Sequence, residues 1–278
     1  VDWEVVMGVN FVNQHLSYYS LNGVRKFDYP PSFSYHEPWW EHYKLMGDYI
    51  GRISMAMSSG EQINKTMVLQ PNTSAWMYFS RKDKNPAINR IRDGFKNFVY
   101  RMEQQHLEYD LGSENVLREI GSVKGKILKV GKRDYSLLVI PAEMENIDKH
   151  TFDLLQKYLD NGGKVLSFRK DIPMLDGEVS AVVNELIGKS GDNWTFAENL
   201  SDANALALLI GEEFAMTDLT KNGMTYHQRR MLDDGQVLFV VNSHPTKKAS
   251  AELTMNGKSV SVLDLVSGKV SGYPAENK

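Results

Sequence analysis

From residue 63 to residue 222 short apolar runs alternate with amphipathic ones, and no other feature narrows the fold as far. Thr66-Met67-Val68-Leu69-Gln70 is a compact apolar run of strand type. Asn85-Pro86 is a helix-start signal, and Ile88, Ile91, Phe95, Phe98 and Met102 after it share one helical face. Leu107 to Asp110 reads as a second strand, Ser113 to Ile120 as a short helix and Lys126 to Val130 as a third short strand. Tyr135 to Pro141 is a nearly continuous apolar run, as a strand buried on both faces requires. Asp148 then caps a helix carrying Phe152, Leu155 and Leu159, which Asn161-Gly162-Gly163 stops before the strand Lys164 to Phe168. Strands separated by helices predict a mostly parallel sheet with helices on both faces, a doubly wound α/β domain of flavodoxin or amidotransferase type.

The flanks differ. Residues 1–62 hold 12 of the 29 aromatic residues and three of the seven histidines, His15, His36 and His42. A dense core is one explanation; the other is that many of these aromatics sit in a Pro-containing loop segment, and loop aromatics on a surface contact ligands or neighbouring domains. Gly8 to His15 reads as a short buried strand, Leu16 to Glu37 as a long loop, and Pro38 as the first turn of a helix. Trp40, Tyr43, Met46, Ile50, Ile53 and Met57 line one face of that helix. A single strand–loop–helix unit cannot cover both faces of its strand, so it reads as part of a larger α/β architecture. Beyond residue 222 the period becomes two, with turns at Asp233-Asp234-Gly235, Asn256-Gly257 and Ser267-Gly268. This predicts a small antiparallel β-module or the start of a β-sandwich. The expected division is 1–62, 63–222 and 223–278.

Several chemistries are excluded by composition. The chain has no Cys, hence no disulfide, no thiolate nucleophile and no Cys-based metal site. The net charge of −3 gives no overall basic character for nucleic acid, and no apolar run is long enough for a membrane span. No metal-binding motif, GxGxxG or P-loop occurs. The loop Pro71 to Trp76 follows a strand, as phosphate-binding loops do, but has no Gly and no helix expected directly after it.

The candidate binding residues are His15, Tyr18 and Tyr19 at the end of the first expected strand, and Trp39. Ligand sites of α/β barrels gather at strand C-termini, and aromatic side chains stack on sugar faces while donating hydrogen bonds. Trp39 and Trp40 lie about 100° apart on a helix, so if Trp40 faces the core Trp39 is free for a ligand or the loop. Glu37 and Glu41 are the carboxylates nearest this aromatic segment and the only candidate catalytic groups. Each also suits a helix N-terminus simply as a negative charge.

Gly8-Val9-Asn10, His15, Ser17-Tyr18-Tyr19-Ser20, Asp28-Tyr29-Pro30-Pro31-Ser32-Phe33, Pro38-Trp39-Trp40 and Tyr49-Ile50-Gly51-Arg52 together resemble the last barrel unit of bacterial family 106 glycoside hydrolases, the α-L-rhamnosidases. The middle region is similar to the Cys-free amidotransferase-like domain of family 42 β-galactosidases. Tyr226 to Arg230 and Val237 to Asn242 look like the opening of a following β-module. The resemblance implies a C-terminal fragment of a (β/α)8-barrel glycosidase whose two catalytic carboxyl groups lie outside this chain. It also implies a carbohydrate partner, no cofactor beyond Ca²⁺ in the parent protein, and export to the periplasm or cell surface. The alternative is a non-catalytic scaffold, self-associating as a homo-oligomer, or a carbohydrate-binding module. The chain opens at Val1 with no visible leader, which fits a processed or excised piece.

Overall fold

The computed structural model describes residues 1–82, 85–211, 213–220 and 224–276. The chain divides into two compact units, each drawn from separate stretches. The first comprises 1–62, 225–247 and 256–278; the second comprises 63–224 and 248–255. This differs from the contiguous three-part division expected above, whose 222/223 boundary lies outside the described residues.

In the first unit, helix α1 (Asp2–Val6) and helix α2 (Tyr43–Ser58) pack on a hairpin of Thr225–Met231 and Gln236–Asn242. Val5, Ile53 and Met57 are buried together against Val237, Phe239 and Leu265. Val6 is buried with Tyr226 and Val241. Arg52 adds two hydrogen bonds of 2.8 Å, to the carbonyls of Leu265 and Val266. A second ribbon, Val260–Leu263 with Val270–Tyr273, is exposed along its length.

Two expectations are corrected in this unit. Gly8 to His15 is not a buried strand: residues 8–16 are exposed and irregular, and Phe11 is 76% exposed. A strand exists only through ladder hydrogen bonds to a neighbour, and no strand lies beside this segment among the described residues. The helix expected from Pro38 begins later, as a 3₁₀ turn at Trp40–His42 leading into α2. Of the expected apolar face only Ile53 and Met57 are buried, while Trp40 and Met46 are exposed.

The second unit is a mixed α/β unit built on a five-stranded parallel sheet. Its strands are β1 (Thr66–Leu69), β2 (Asp110–Gly112), β3 (Leu137–Ile140), β4 (Lys164–Ser167) and β5 (Trp194–Phe196), in the order β2-β1-β3-β4-β5. Alternate residues point to opposite faces. Met67, Leu69, Leu138, Ile140 and Val165 pack with Leu117, Phe152, Leu155, Leu159, Val183 and Leu186. Val68, Leu137, Val139 and Leu166 pack with Met102, Ala205 and Leu209. Each face therefore has its own helices: α5 (Glu114–Ile120), α6 (Lys149–Asp160) and α7 (Val182–Lys189) on one, α4 (Pro86–Gln104) and α8 (Ala203–Leu209) on the other.

Local signals explain the helix limits. Asn85 accepts from the Ala87 N–H at 2.9 Å to cap α4, and Asp148 accepts from the Thr151 N–H at 2.7 Å to cap α6. Small antiparallel sheets decorate the parallel one, including Gly121–Lys124, Ile127–Val130 and Arg133–Tyr135. Phe214–Asp218 pairs with Ala251–Met255, which draws part of the expected β-module into this unit. The β-rich end of the chain thus forms separate two-stranded ribbons.

Candidate functional site

Between α1 and α2 of the first unit runs the aromatic segment that carries every residue singled out from the sequence. Its backbone is irregular apart from two short 3₁₀ turns, so side chains hold its shape. The Tyr18 hydroxyl donates to the Tyr29 carbonyl at 3.0 Å and approaches Asp28 Oδ2 at 3.3 Å, closing the loop between them. The His15 ring meets the Tyr29 ring edge-on, with centroids 5.0 Å apart. Tyr43 stacks with Phe33 at 6.2 Å and with Trp40 at 5.6 Å, and its hydroxyl donates to Gln14.

The structure therefore brings His15 and Tyr18 together around Tyr29. Tyr19 and Trp39 are 92% and 51% exposed, and neither joins that cluster. Trp40, assigned to the core by periodicity, instead belongs to the exposed stack on Tyr43. Glu37 is half-buried, its N–H donating to the Ser34 carbonyl at 3.0 Å, and Glu41 is exposed on the 3₁₀ turn. What the segment offers is a set of open aromatic faces with hydroxyl and imidazole groups between them, suited to a polyhydroxylated ligand that has apolar faces.

A second polar cluster, missed in the sequence, sits in the second unit where the loops after β1, β2 and β3 meet. Helix α3 (Asn72–Trp76) follows β1 after only Gln70 and Pro71, where the sequence predicts a loop from Pro71 to Trp76 with no helix beginning at once. It turns Thr73 and Ser74 inward. The Ser74 hydroxyl accepts from the N–H groups of Glu145 (2.9 Å) and Asn146 (3.0 Å). Thr73 Oγ1 bonds to Glu114 Oε2 and lies 3.3 Å from the Asn146 carbonyl. Glu114 Oε1 accepts from the Asp148 N–H at 2.6 Å. Asp148 also holds the Arg118 guanidinium.

Burial pushes the Glu114 carboxyl up to about 7, against the hydrogen bonds from Thr73, the Asp148 N–H and the Thr151 hydroxyl and helped by the Asp148 charge. Asp148 moves the other way: burial would raise it, but Thr151 and Arg118 outweigh burial and hold it below the usual range. Nearby, Glu145 accepts from the Tyr78 hydroxyl (2.7 Å) and from Arg90 (2.6 Å). Burial opposes these partners, yet they hold the Glu145 carboxyl below its ordinary value. Burial raises Glu143, which packs on Gly94 of α4 where a Cβ would come within 2.3 Å of its Oε1.

Outside Asp148 an open cleft of about 370 Å³ is lined by Arg118, Asp148, Lys149, His150, Asp153 and Asp176. Arg118 is paired with Asp148 and Lys149 with Asp153, so the cleft keeps little net charge for a ligand. The sequence signal for this cluster was position alone: every member follows the C-terminal end of a parallel strand. Among the described residues no group of three or more His, Asp or Glu is placed to hold a metal ion. No described helix is long and apolar enough to cross a membrane.

No protein-family model and no curated protein matches the chain. Solved structures do, and two of those similar to it are glycoside hydrolases. A rhamnosidase from Novosphingobium sp. PP1Y superposes over 86% of this chain with a TM-score of 0.62 at 17% identity. An apo exo-carrageenase GH42 from Bacteroides ovatus aligns over 81% of the chain at 16% identity, with a TM-score of 0.47. This chain spans 23% of the rhamnosidase's length and 28% of the carrageenase's. The likeness to the rhamnosidase establishes a shared fold.

Proposed function

We propose that this chain is the C-terminal part of a glycoside hydrolase of the family 106 α-L-rhamnosidase kind, acting on α-L-rhamnosyl or related plant-polysaccharide linkages. The fold likeness to a rhamnosidase over 86% of the chain carries the reading. Glycosidases need two carboxyl groups flanking the scissile bond. Glu37 and Glu41, the only carboxylates proposed from the aromatic segment, are half-buried and exposed respectively. In this reading the catalytic pair belongs to other parts of the polypeptide. His15, Tyr18, Tyr19 and Trp39 form a rim that stacks on and hydrogen-bonds the sugar.

The parallel-sheet unit is then a flavodoxin- or amidotransferase-like support domain. The order β2-β1-β3-β4-β5 and the helices on both faces support that assignment. Without Cys it cannot run thiolate chemistry, and its loop-end carboxylates are engaged in holding loops together. Export to the periplasm or cell surface, as for enzymes that meet polysaccharide outside the cell, belongs to the same proposal.

An aryl α-L-rhamnoside assay tests it. The chain alone is expected to give no turnover, and Glu37→Gln and Glu41→Gln to change nothing. The polypeptide extended through its upstream reading frame is expected to cleave the substrate, with kcat/KM lowered about ten-fold by His15→Ala, roughly the loss of one hydrogen-bonding contact. Turnover that scales with the chain alone and disappears in Glu37→Gln or Glu41→Gln would overturn the proposal. One observation favours a second reading, a self-associating scaffold: large apolar side chains such as Phe11, Leu16, Phe27 and Leu45 are exposed in the first unit. A stable oligomer in light scattering, together with no sugar binding, would favour it.

A further inference from the structure

We infer that Glu114 is carried as the neutral acid and closes a proton-dependent clasp, donating to Thr73, whose hydroxyl in turn donates to the Asn146 carbonyl. Thr73 has one hydroxyl proton, yet its oxygen faces two oxygens, Glu114 Oε2 and the Asn146 carbonyl at 3.3 Å. If Glu114 is ionised both are pure acceptors, and one contact is left without a proton between its oxygens. If Glu114 carries the proton on Oε2, each contact has its own. Oε1, the carbonyl oxygen of the neutral acid, still accepts from the Asp148 N–H at 2.6 Å.

The surroundings favour the same state. Glu114 is 1% exposed. From α6 the charged group facing it is Asp148, whose negative charge disfavours a second anion and is already held by Arg118, on the same helix as Glu114. Lys149 and Asp153, paired with each other, and His150 and Asp176 line the open cleft on the outer side. From α3, Thr73 and Ser74 bring hydroxyls and no charge. The pushed-up titration of Glu114, to about 7, agrees with the geometry.

The clasp joins three loops: the one after β1 through Thr73, the one after β2 through Glu114 and the one after β3 through Asn146 and Asp148. Losing the proton makes Thr73 choose between Glu114 and Asn146, so the tie through Thr73 weakens while Ser74, which faces the same carbonyl at 3.3 Å and accepts from the Glu145 and Asn146 N–H groups, keeps its hold on the loop after β3. The sign follows from linkage. The folded value lies above the ordinary 4.5. The stabilisation is therefore complete below about pH 4.5 and lost as pH rises through about 7.

The test uses the whole chain. Carboxyl ¹³C NMR is expected to show Glu114 titrating within about one unit of pH 7; a midpoint below about pH 5, the ordinary range for Glu, would overturn the inference. Glu114→Gln places an amide donor where the acid proton sits. Its Tm is expected to match the wild type near pH 4.5 and to exceed it progressively towards pH 7, after which the two curves run parallel. Curves parallel throughout, or a Gln variant that melts below the wild type at pH 4.5, would contradict the clasp. Should the Gln variant fail to fold, that too contradicts it, and the wild-type titration decides independently.

Discussion

At Gly60 the chain leaves α2 with φ +60° and bonds back to the hairpin: Glu61 donates to the Met231 carbonyl at 2.9 Å, and Met231 to the Glu61 carbonyl at 2.8 Å. A Cβ there would stand 2.0 Å from the Met231 oxygen. Gly60→Ala is therefore both strained and obstructed, and should lower stability by about 1–3 kcal/mol in a urea titration. Gly163 has the same steric problem without the strain, since a Cβ would meet the buried Tyr158 ring at 2.3 Å. Asp148 sets the acid side of the stability curve. Its depressed carboxyl supplies stability that is present above the ordinary Asp value near 4 and is lost as pH falls through the lower folded value. Asp148→Asn should keep much of the cap while flattening acid unfolding below about pH 4, read by circular dichroism. The polar cluster around Glu114 was not legible from these residues singly. A Glu in a helix first turn is ordinary, and only the approach of three loops made it a buried acid.

The elements best read from the sequence are those whose signals are local. Asp148, the apolar stripe Phe152, Leu155 and Leu159, and the Asn161-Gly162-Gly163 stop define α6 without outside help. Asn85-Pro86 does the same for α4. Leu137 to Ile140 was legible because a continuous apolar run is what a strand covered on both faces requires. Gly8 to His15 failed for the converse reason: its pattern fits a strand, but pairing is not a local property, and among the described residues no strand pairs with it. Helix α2 shows the same limit, because its apolar face is buried only over the turns that meet α1 and the hairpin. Asp148→Ala should cost about 1–3 kcal/mol, since the cap is lost and Arg118 loses its partner. Chemical denaturation measures this, and Arg118→Ala in the same background should add little.

Across the whole molecule, order and exposure are unevenly shared. The parallel sheet is covered on both faces, whereas residues 8–16 are exposed and carry no regular structure. Hydrogen exchange should find amides of residues 9–40 the least protected and those of β1, β3 and β4 the slowest. Slow exchange across 9–16 would show that a strand does form there in solution. A surface role for the aromatic residues of this segment was legible, beside a dense core, only from their place in a Pro-containing loop. Which of them cluster was not legible, as the contacts of His15 and Tyr18 with Tyr29 depend on how the loop closes. Titrating the chain with L-rhamnose while following its Trp indole N–H resonances tests the proposed sugar-recognising rim most directly. The account predicts that the indoles of Trp39 and Trp40 shift while those of Trp76 and Trp194 stay fixed, and that Tyr19→Ala weakens the effect. If no indole moves at saturating sugar, or only those of Trp76 and Trp194 move, the rim assignment is wrong.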